Sequence, residues 1–327
     1  MRALVTGASG FIGGHVVAAL AAGGAQVRAL DRQPPPPGAI PDSVEIVLGD
    51  VLDRDAVRRA VEGCDAVFHL AAVYSYRRSD AATMQAVNVE GTKTVLDAAL
   101  RGGRRRIVHT SSCATCGPVR DRRATERDLP SRADLRVPYR RTKLEGERLA
   151  LAAAREGAEV VVVNPTVPVG PGDLRPTPTG QMVADVAAGR ARGYLARSAL
   201  NVVAAGDVAA GHVLALECGR SGERYLLGGE DMSIRDVFAA IARAAGLSPP
   251  RVGVPWVVAY GAARVADAVL RPVGREAQLL LLDEVRAGHL PHRYDDSKAR
   301  TELGYVSRPA VEALAEAVRS VTAQGGF

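Results

Sequence analysis

Lysine is nearly missing from this chain. Of 42 basic side chains only Lys93, Lys143 and Lys298 are lysines, so the net charge of +6 is carried by arginine. The arginines are scattered, with short clusters only at 104–106 and 120–123, and aromatic residues make up 4% of the chain. That pattern excludes a basic, aromatic-studded nucleic-acid face and is met by solvated surfaces and an anionic cofactor. Cysteine is scarce too: Cys64, Cys113, Cys116 and Cys218 are too few for a disulfide framework in 327 residues. No apolar run reaches the ~20 residues that a membrane span requires. The first residues already read as a strand, which leaves no room for a signal peptide. The expected compartment is the cytoplasm.

Cys113 and Cys116 form a Cys-x-x-Cys. A zinc site needs four ligands, and no second paired knuckle exists. A redox pair would open a helix, where the dipole lowers a thiol pKa. Here the pair follows "RIVHTSS", a strand running into a loop. Buried structural thiols are expected, and no metal.

What is present is alternation. Apolar, β-branched runs at 2–7, 26–31, 44–50, 66–72, 106–112 and 159–165 are separated by helical patterns near 11–23, 53–62, 80–101 and 139–156. Strand–helix alternation of this spacing implies a parallel sheet with crossover helices on both faces, its strands buried on both sides. The fold class expected is α/β, a Rossmann doubly wound parallel sheet with a smaller helix-rich C-terminal substrate domain. After Pro165 the texture changes. "NPTVPVGPGDLRPTPTG" is too rich in proline and glycine to continue as a regular element. Residues 1–165 are read as the dinucleotide-binding domain. Residues 166–327 are read mainly as a substrate-binding cap, with some segments returning to the first domain.

"VTGASGFIGGHVVAAL" sets Gly7, Gly10 and Gly13, with Phe11 and Ile12 between them, where the first strand meets the first helix. Glycines there allow a sharp turn, close approach to a pyrophosphate, and close helix packing. The helix N-terminus then presents free N–H groups to the phosphates. Asp31, at the end of the second strand, can accept hydrogen bonds from the adenosine ribose and would repel a 2′-phosphate. NAD is therefore expected, with NADP kept open by the neighbouring Arg32, a potential phosphate partner. Asp50 and Val51 close the third strand and would flank the adenine.

Tyr139 and Lys143 stand four apart in "VPYRRTKLEGERLA" and so share one helix face. Moving hydride to or from a secondary alcohol carbon needs a group that exchanges the hydroxyl proton. A free tyrosine, pKa about 10, is a poor base, and a nearby ammonium favours its phenolate.

With these motifs the sequence resembles the extended short-chain dehydrogenase/reductases over essentially its whole length. The resemblance implies that "HTSSCATCG" places the catalytic serine at Ser112, beside Tyr139 and Lys143. It implies that Lys143 also holds the nicotinamide ribose. It further implies cofactor contacts from Leu70, Ala71 and Ala72 in "HLAA", from Asn88 in "NVEGT", and from Pro165 in the turn toward the nicotinamide. A homodimer through the tyrosine-bearing helix is implied as well.

Within that group the chain is most similar to hopanoid-associated sugar epimerases and dihydroflavonol-reductase-like members. Compared with nucleotide-sugar enzymes, Leu200 stands where a diphosphate-binding arginine is expected, while Arg286 in "RAGHLP" resembles a second such arginine. Loss of one arginine favours a small or lipid-linked ketone or alcohol over a nucleotide sugar. Tyr74 and Tyr76 in "VYSYRRSD" either line this substrate pocket or sit in a solvated loop. A non-catalytic NAD(P)-binding regulator is the alternative of another class.

Overall fold

A computed structural model describes residues 1–101, 105–277 and 281–323; Arg104 of the first arginine cluster lies outside them, as do residues 278–280 and 324–327 of the expected cap. Seven strands make one parallel sheet. They are β1 (Arg2–Thr6), β2 (Gln26–Asp31), β3 (Glu45–Leu48), β4 (Ala66–His69), β5 (Arg106–Thr110), β6 (Glu159–Pro165) and Arg224–Leu227. In space they run β3, β2, β1, β4, β5, β6, then Arg224–Leu227. The order reverses between β1 and β4, and in such sheets a ligand sits beyond the carboxyl ends of the strands at that point.

The interior strands are apolar on both faces. Leu4, Val5, Val67, Phe68, Ile107, Val108 and Val160–Val163 are fully buried. The helices α1 (Phe11–Ala22), α2 (Arg54–Val61), α3 (Ala81–Gln85), α4 (Thr92–Arg101) and α5 (Pro138–Arg155) cross between them. Not every strand is buried on both sides, however. β3 is an edge, and Ile46 and Leu48 are exposed there.

The helical pattern at 80–101 is one run with a fault in it. A π-helical turn, Ala86–Gly91, separates α3 from α4. Inserted turns of this kind cluster at functional sites. This one turns the Asn88 side chain toward α5, where Nδ2 donates to Thr142 Oγ1 at 3.1 Å.

The segment after Pro165 departs from expectation. Val167–Val169 is a strand, β7, despite Pro168. It stays regular because it is an edge, paired on one side with a strand of the cap. The remaining elements are α6 (Pro178–Ala187), β8 (Gly193–Leu195), β9 (Ala199–Ala204), α7 (Ala205–Cys218), β10 (the Arg224–Leu227 strand), β11 (Glu230–Ser233), α8 (Ile234–Ala244), β12 (Val252–Val254), α9 (Trp256–Leu270), α10 (Leu282–Ala287), α11 (Ser297–Leu303) and α12 (Ala310–Ala323). β11, β9 and β7 form a small sheet, and β12 pairs with β8. α6, α8 and α12 cover the small sheet around Val202, Val237, Ile241 and Leu314. Leu200, in the arginine's expected place, packs against this cap core. α7 lies against α1, and β10 pairs with β6, so the second half of the chain returns to the first sheet.

Arg140 ties α5 to the cap. It is 2% exposed, paired with the equally buried Asp134. Its Nη2 donates to Ala287 O at 2.9 Å and bonds His292 Nε2 at 3.0 Å. Removing one partner of a buried pair strands the other charge, which costs about 3–5 kcal/mol, whereas replacing both with apolar groups is often nearly neutral. Arg140→Leu is therefore expected to lower the urea-unfolding free energy by about 3 kcal/mol or more, and Arg140→Leu with Asp134→Leu to recover much of the loss. An undiminished single variant would show that the pair does not brace the fold.

Candidate functional site

The glycine loop sits at the switch between β1 and β4. Gly7 has φ +69, and a Cβ there would lie 2.8 Å from the Ala71 backbone. A Cβ on Gly13 would lie 2.0 Å from Gly7 O. Only glycine permits this turn and this approach of α1 to it. Gly10 caps α1 without a side-chain hydrogen bond, and the first turn carries no acidic residue. The N-terminal amides thus face a cleft of about 630 Å³ lined by Gly7, Ser9, Gly10 and Phe11 from the loop, Asp31 and Arg32 after β2, Asp50 and Val51 after β3, and Leu70, Ala71 and Ala72 after β4. Ile12 and Gly13 line the adjoining pocket. Free amides, glycine clearance and a carboxylate at the far end suit a dinucleotide. Asp31 accepts the Ser9 amide at 2.8 Å. Burial pushes its pKa up, opposed first by that bond and then by Arg175 and Arg32.

The second pocket, about 210 Å³, shares Gly7, Gly10, Phe11, Leu70, Ala72, Tyr74 and Thr177 with the first. Ser112, Tyr139 and Lys143 meet here, together with Cys113, Pro165, Thr166, Val167, Pro168, Thr179 and His292. Pro138 starts α5, which places Tyr139 and Lys143 on successive turns facing the end of β5. Ser112 begins a short 3-10 turn, its Oγ accepting Ala114 N–H at 3.2 Å. Burial pushes the Tyr139 pKa up, and a hydrogen bond with Ser112 opposes that rise. Lys143 Nζ donates to Thr110 O at 2.6 Å, and burial lowers its pKa to about 8. Beneath it lie His69 and His109, ring centroids 5.4 Å apart, both held neutral by burial. His69 bonds Thr6 at 2.8 Å and Thr92 at 2.9 Å, fixing the end of β4.

Not all expected contacts converge. Asn88 does not line either pocket. Its amide is consumed by Val73 N (2.7 Å), Val73 O (3.0 Å) and Thr142, so it positions the Tyr74 loop and α5 instead. Tyr74 lies in the second pocket, its ring centroid 4.4 Å from that of Tyr139. Tyr76 and Arg286 do not line that pocket. They line a separate pocket of about 220 Å³, with Arg286 paired to Asp283 at 2.8 Å. Arginine at the end of α10 is thus paired with its own helix neighbour, outside the pocket that holds Tyr139.

Cys113 and Cys116 are free, buried thiols packed with Ala124, Leu226 and Tyr294. Burial pushes both pKa values up, Cys113 to about 11, the opposite of a reactive thiolate. Among the described residues no group of three or more His, Cys, Asp or Glu could hold a metal ion.

Sequence reasoning missed the support beneath the pocket. Glu147, 1% exposed, accepts from Thr115 Oγ1 and Asn164 Nδ2, each at 2.7 Å, and pairs with Arg224 Nε at 3.0 Å. Its position four residues after Lys143 was a signal. Arg175, Thr177 and His292 come from distant loops and left none.

Three comparisons bear on this site. The family model described as "NAD dependent epimerase/dehydratase family" matches residues 3–228. Sterol demethylase protein B of Methylococcus capsulatus is 35% identical over 97% of this chain and 97% of its own. A 4-hydroxy-2-methyl-3-oxo-4-farnesyl-3,4-dihydroquinoline-1-oxide ketoreductase of Stigmatella aurantiaca is 31% identical over 99% of this chain and 98% of its own. The solved structure of Thermus thermophilus UDP-glucose 4-epimerase in complex with NAD superposes with a TM-score of 0.78, at 26% identity, covering 98% and 99% of the two chains.

The buried lysine has a measurable signature. Below about pH 8 Lys143 is an ammonium held away from water. That penalty is full at neutral pH and fades as the pH rises toward the free-lysine value of about 10.4. The thermal midpoint of Lys143→Met minus that of the wild type is therefore expected to fall between pH 7 and pH 10. A difference that does not change with pH would contradict burial of the charge.

Proposed function

The chain belongs to the NAD-dependent epimerase/dehydratase family, and from that premise we propose that it is an NAD-dependent oxidoreductase acting on a secondary alcohol or ketone of a small or lipid-linked substrate. One observation carries the reading: Ser112, Tyr139 and Lys143 converge in a pocket where, among the described residues, Lys143 is the only charged lining side chain. His292 there is neutral, burial lowering its pKa to about 4. A diphosphate would find no arginine against it, and Thr177, Thr179 and Ser112 offer only neutral hydroxyls among apolar walls. The names of the two relatives, one a sterol enzyme and one a ketoreductase of a farnesylated substrate, accord with this.

A bound nicotinamide would supply or accept the hydride. The chain does the rest. Ser112 holds the substrate oxygen beside Tyr139, which exchanges the proton. Burial pushes the Tyr139 pKa up, and as a phenol it is suited to donate a proton to a carbonyl oxygen. Lys143 then lowers the cost of the resulting phenolate. Asp31 would take the adenosine ribose hydroxyls and meet a 2′-phosphate with like charge, which supports NAD over NADP. We place the protein, with its four free cysteines, in the cytoplasm.

Tyr139→Phe is expected to leave NADH affinity, measured by calorimetry, nearly unchanged and to lower turnover of an apolar ketone by about two orders of magnitude or more. Cofactor binding with no turnover by the wild type on a broad alcohol and ketone panel would instead favour the regulator. Micromolar binding of UDP or dTDP to the NAD complex would favour a nucleotide sugar.

A further inference from the structure

Helix α9 carries its apolar residues on the wrong side for a soluble helix. Val257, Val258, Val265 and Val269 are 72%, 60%, 65% and 66% exposed, and Val273 just beyond is 66% exposed. The positions 258, 262, 265 and 269 follow one face of a helix. The opposite face holds only a small cluster, Ala259 and Ala263 against Val285 of α10. The apolar surface continues into a groove of about 480 Å³ between α9, α10 and the β8–β12 pair, lined by Tyr194, Leu195, Val254 and Val285 with Glu284 at its wall.

Charge around this face is mainly positive, with Glu284 of α10 exposed at the groove. Arg251, Arg264, Arg271 and Arg275 are exposed, and from 247 to 275 the only acid is Asp267. That acid is not free: Arg78 Nη1 meets it at 2.8 Å, tying α9 to the loop that bears Tyr74.

We propose that the outward face of α9 docks on an anionic lipid surface. The helix has 15 residues, about 22 Å at 1.5 Å per residue, and no helix among the described residues is long and apolar enough to cross a membrane. It therefore lies in the interface, valines among the acyl chains and arginines at the headgroups. A second copy of the chain fits less well. A twofold contact sets the patch against itself, with the four exposed arginines of each copy outnumbering the exposed Glu284 at the groove. The inference goes beyond the redox reading and fails separately from it, because α9 lines neither pocket of the site.

The test is cosedimentation of the whole protein with phosphatidylcholine vesicles containing or lacking phosphatidylglycerol, with mass by light scattering and turnover of a soluble ketone alongside. Binding is expected only with phosphatidylglycerol and is weakened by added salt. Val258→Glu with Val265→Glu should cut the bound fraction about tenfold, leaving turnover unchanged. Wild-type protein that stays in the supernatant, or a variant that binds as well as wild type, overturns the proposal. So does a wild-type oligomer that the double variant disperses without any vesicle binding, which would assign the face to a second copy.

Discussion

Three charges on one buried face of α5 set the terms for the rest of the molecule. Arg140, Lys143 and Glu147 are spaced to share that face, and all are almost wholly buried. A buried charge is tolerated only with partners. Arg140 finds Asp134, Ala287 O and His292. Lys143 finds Thr110 O, and Glu147 finds Thr115, Asn164 and Arg224. Those partners come from the turn before α5, from the end of β5 and the turn after it, and from β6, β10 and the cap. Satisfying α5 therefore assembles the walls of the pocket in which Tyr139 sits.

Close approach does the same on the cofactor side. The loop at Gly7 fits against Ala71 only without a Cβ, and a Cβ on Gly146 of α5 would lie 2.5 Å from Asn88 O in the π-turn. That turn presents Asn88 to Val73, which fixes the segment leading to Tyr74. Backbone contacts at the sheet's switch point and charge satisfaction on α5 thus converge on one small, mostly apolar pocket. Charged groups of the cap are kept out of it. Arg286 pairs with Asp283, and Arg78 with Asp267 and Glu276, in a separate pocket.

Much of this was legible in the residues. The strand–helix alternation of the first half, the glycine loop, Asp31 and the Tyr139–Lys143 spacing are local patterns, and in the structure each lies where its pattern implies. Local patterns are silent on pairing across the chain. β7 and β9 are short, and Val167–Val169 becomes a strand only because β9 lies beside it. Asn88 and Arg286 were read by resemblance as ligand contacts. The structure turns Asn88 to Val73 and Thr142 and pairs Arg286 with Asp283. Arg140 looks like a solvated charge in a helix of mixed composition, and Glu147 is marked only by its spacing from Lys143. Only the fold reveals that their side of α5 is interior.

The central claim is that hydride passes between the dinucleotide cleft and an apolar carbonyl in the adjoining pocket. Its most direct test uses NADH deuterated at the transferred position, with a series of apolar ketones, and mass analysis of the alcohols formed. The account requires one deuterium in the product alcohol, with kcat/KM rising as apolar length is added. Unlabelled or absent alcohol across the series, together with turnover of a UDP- or dTDP-hexose, would contradict it.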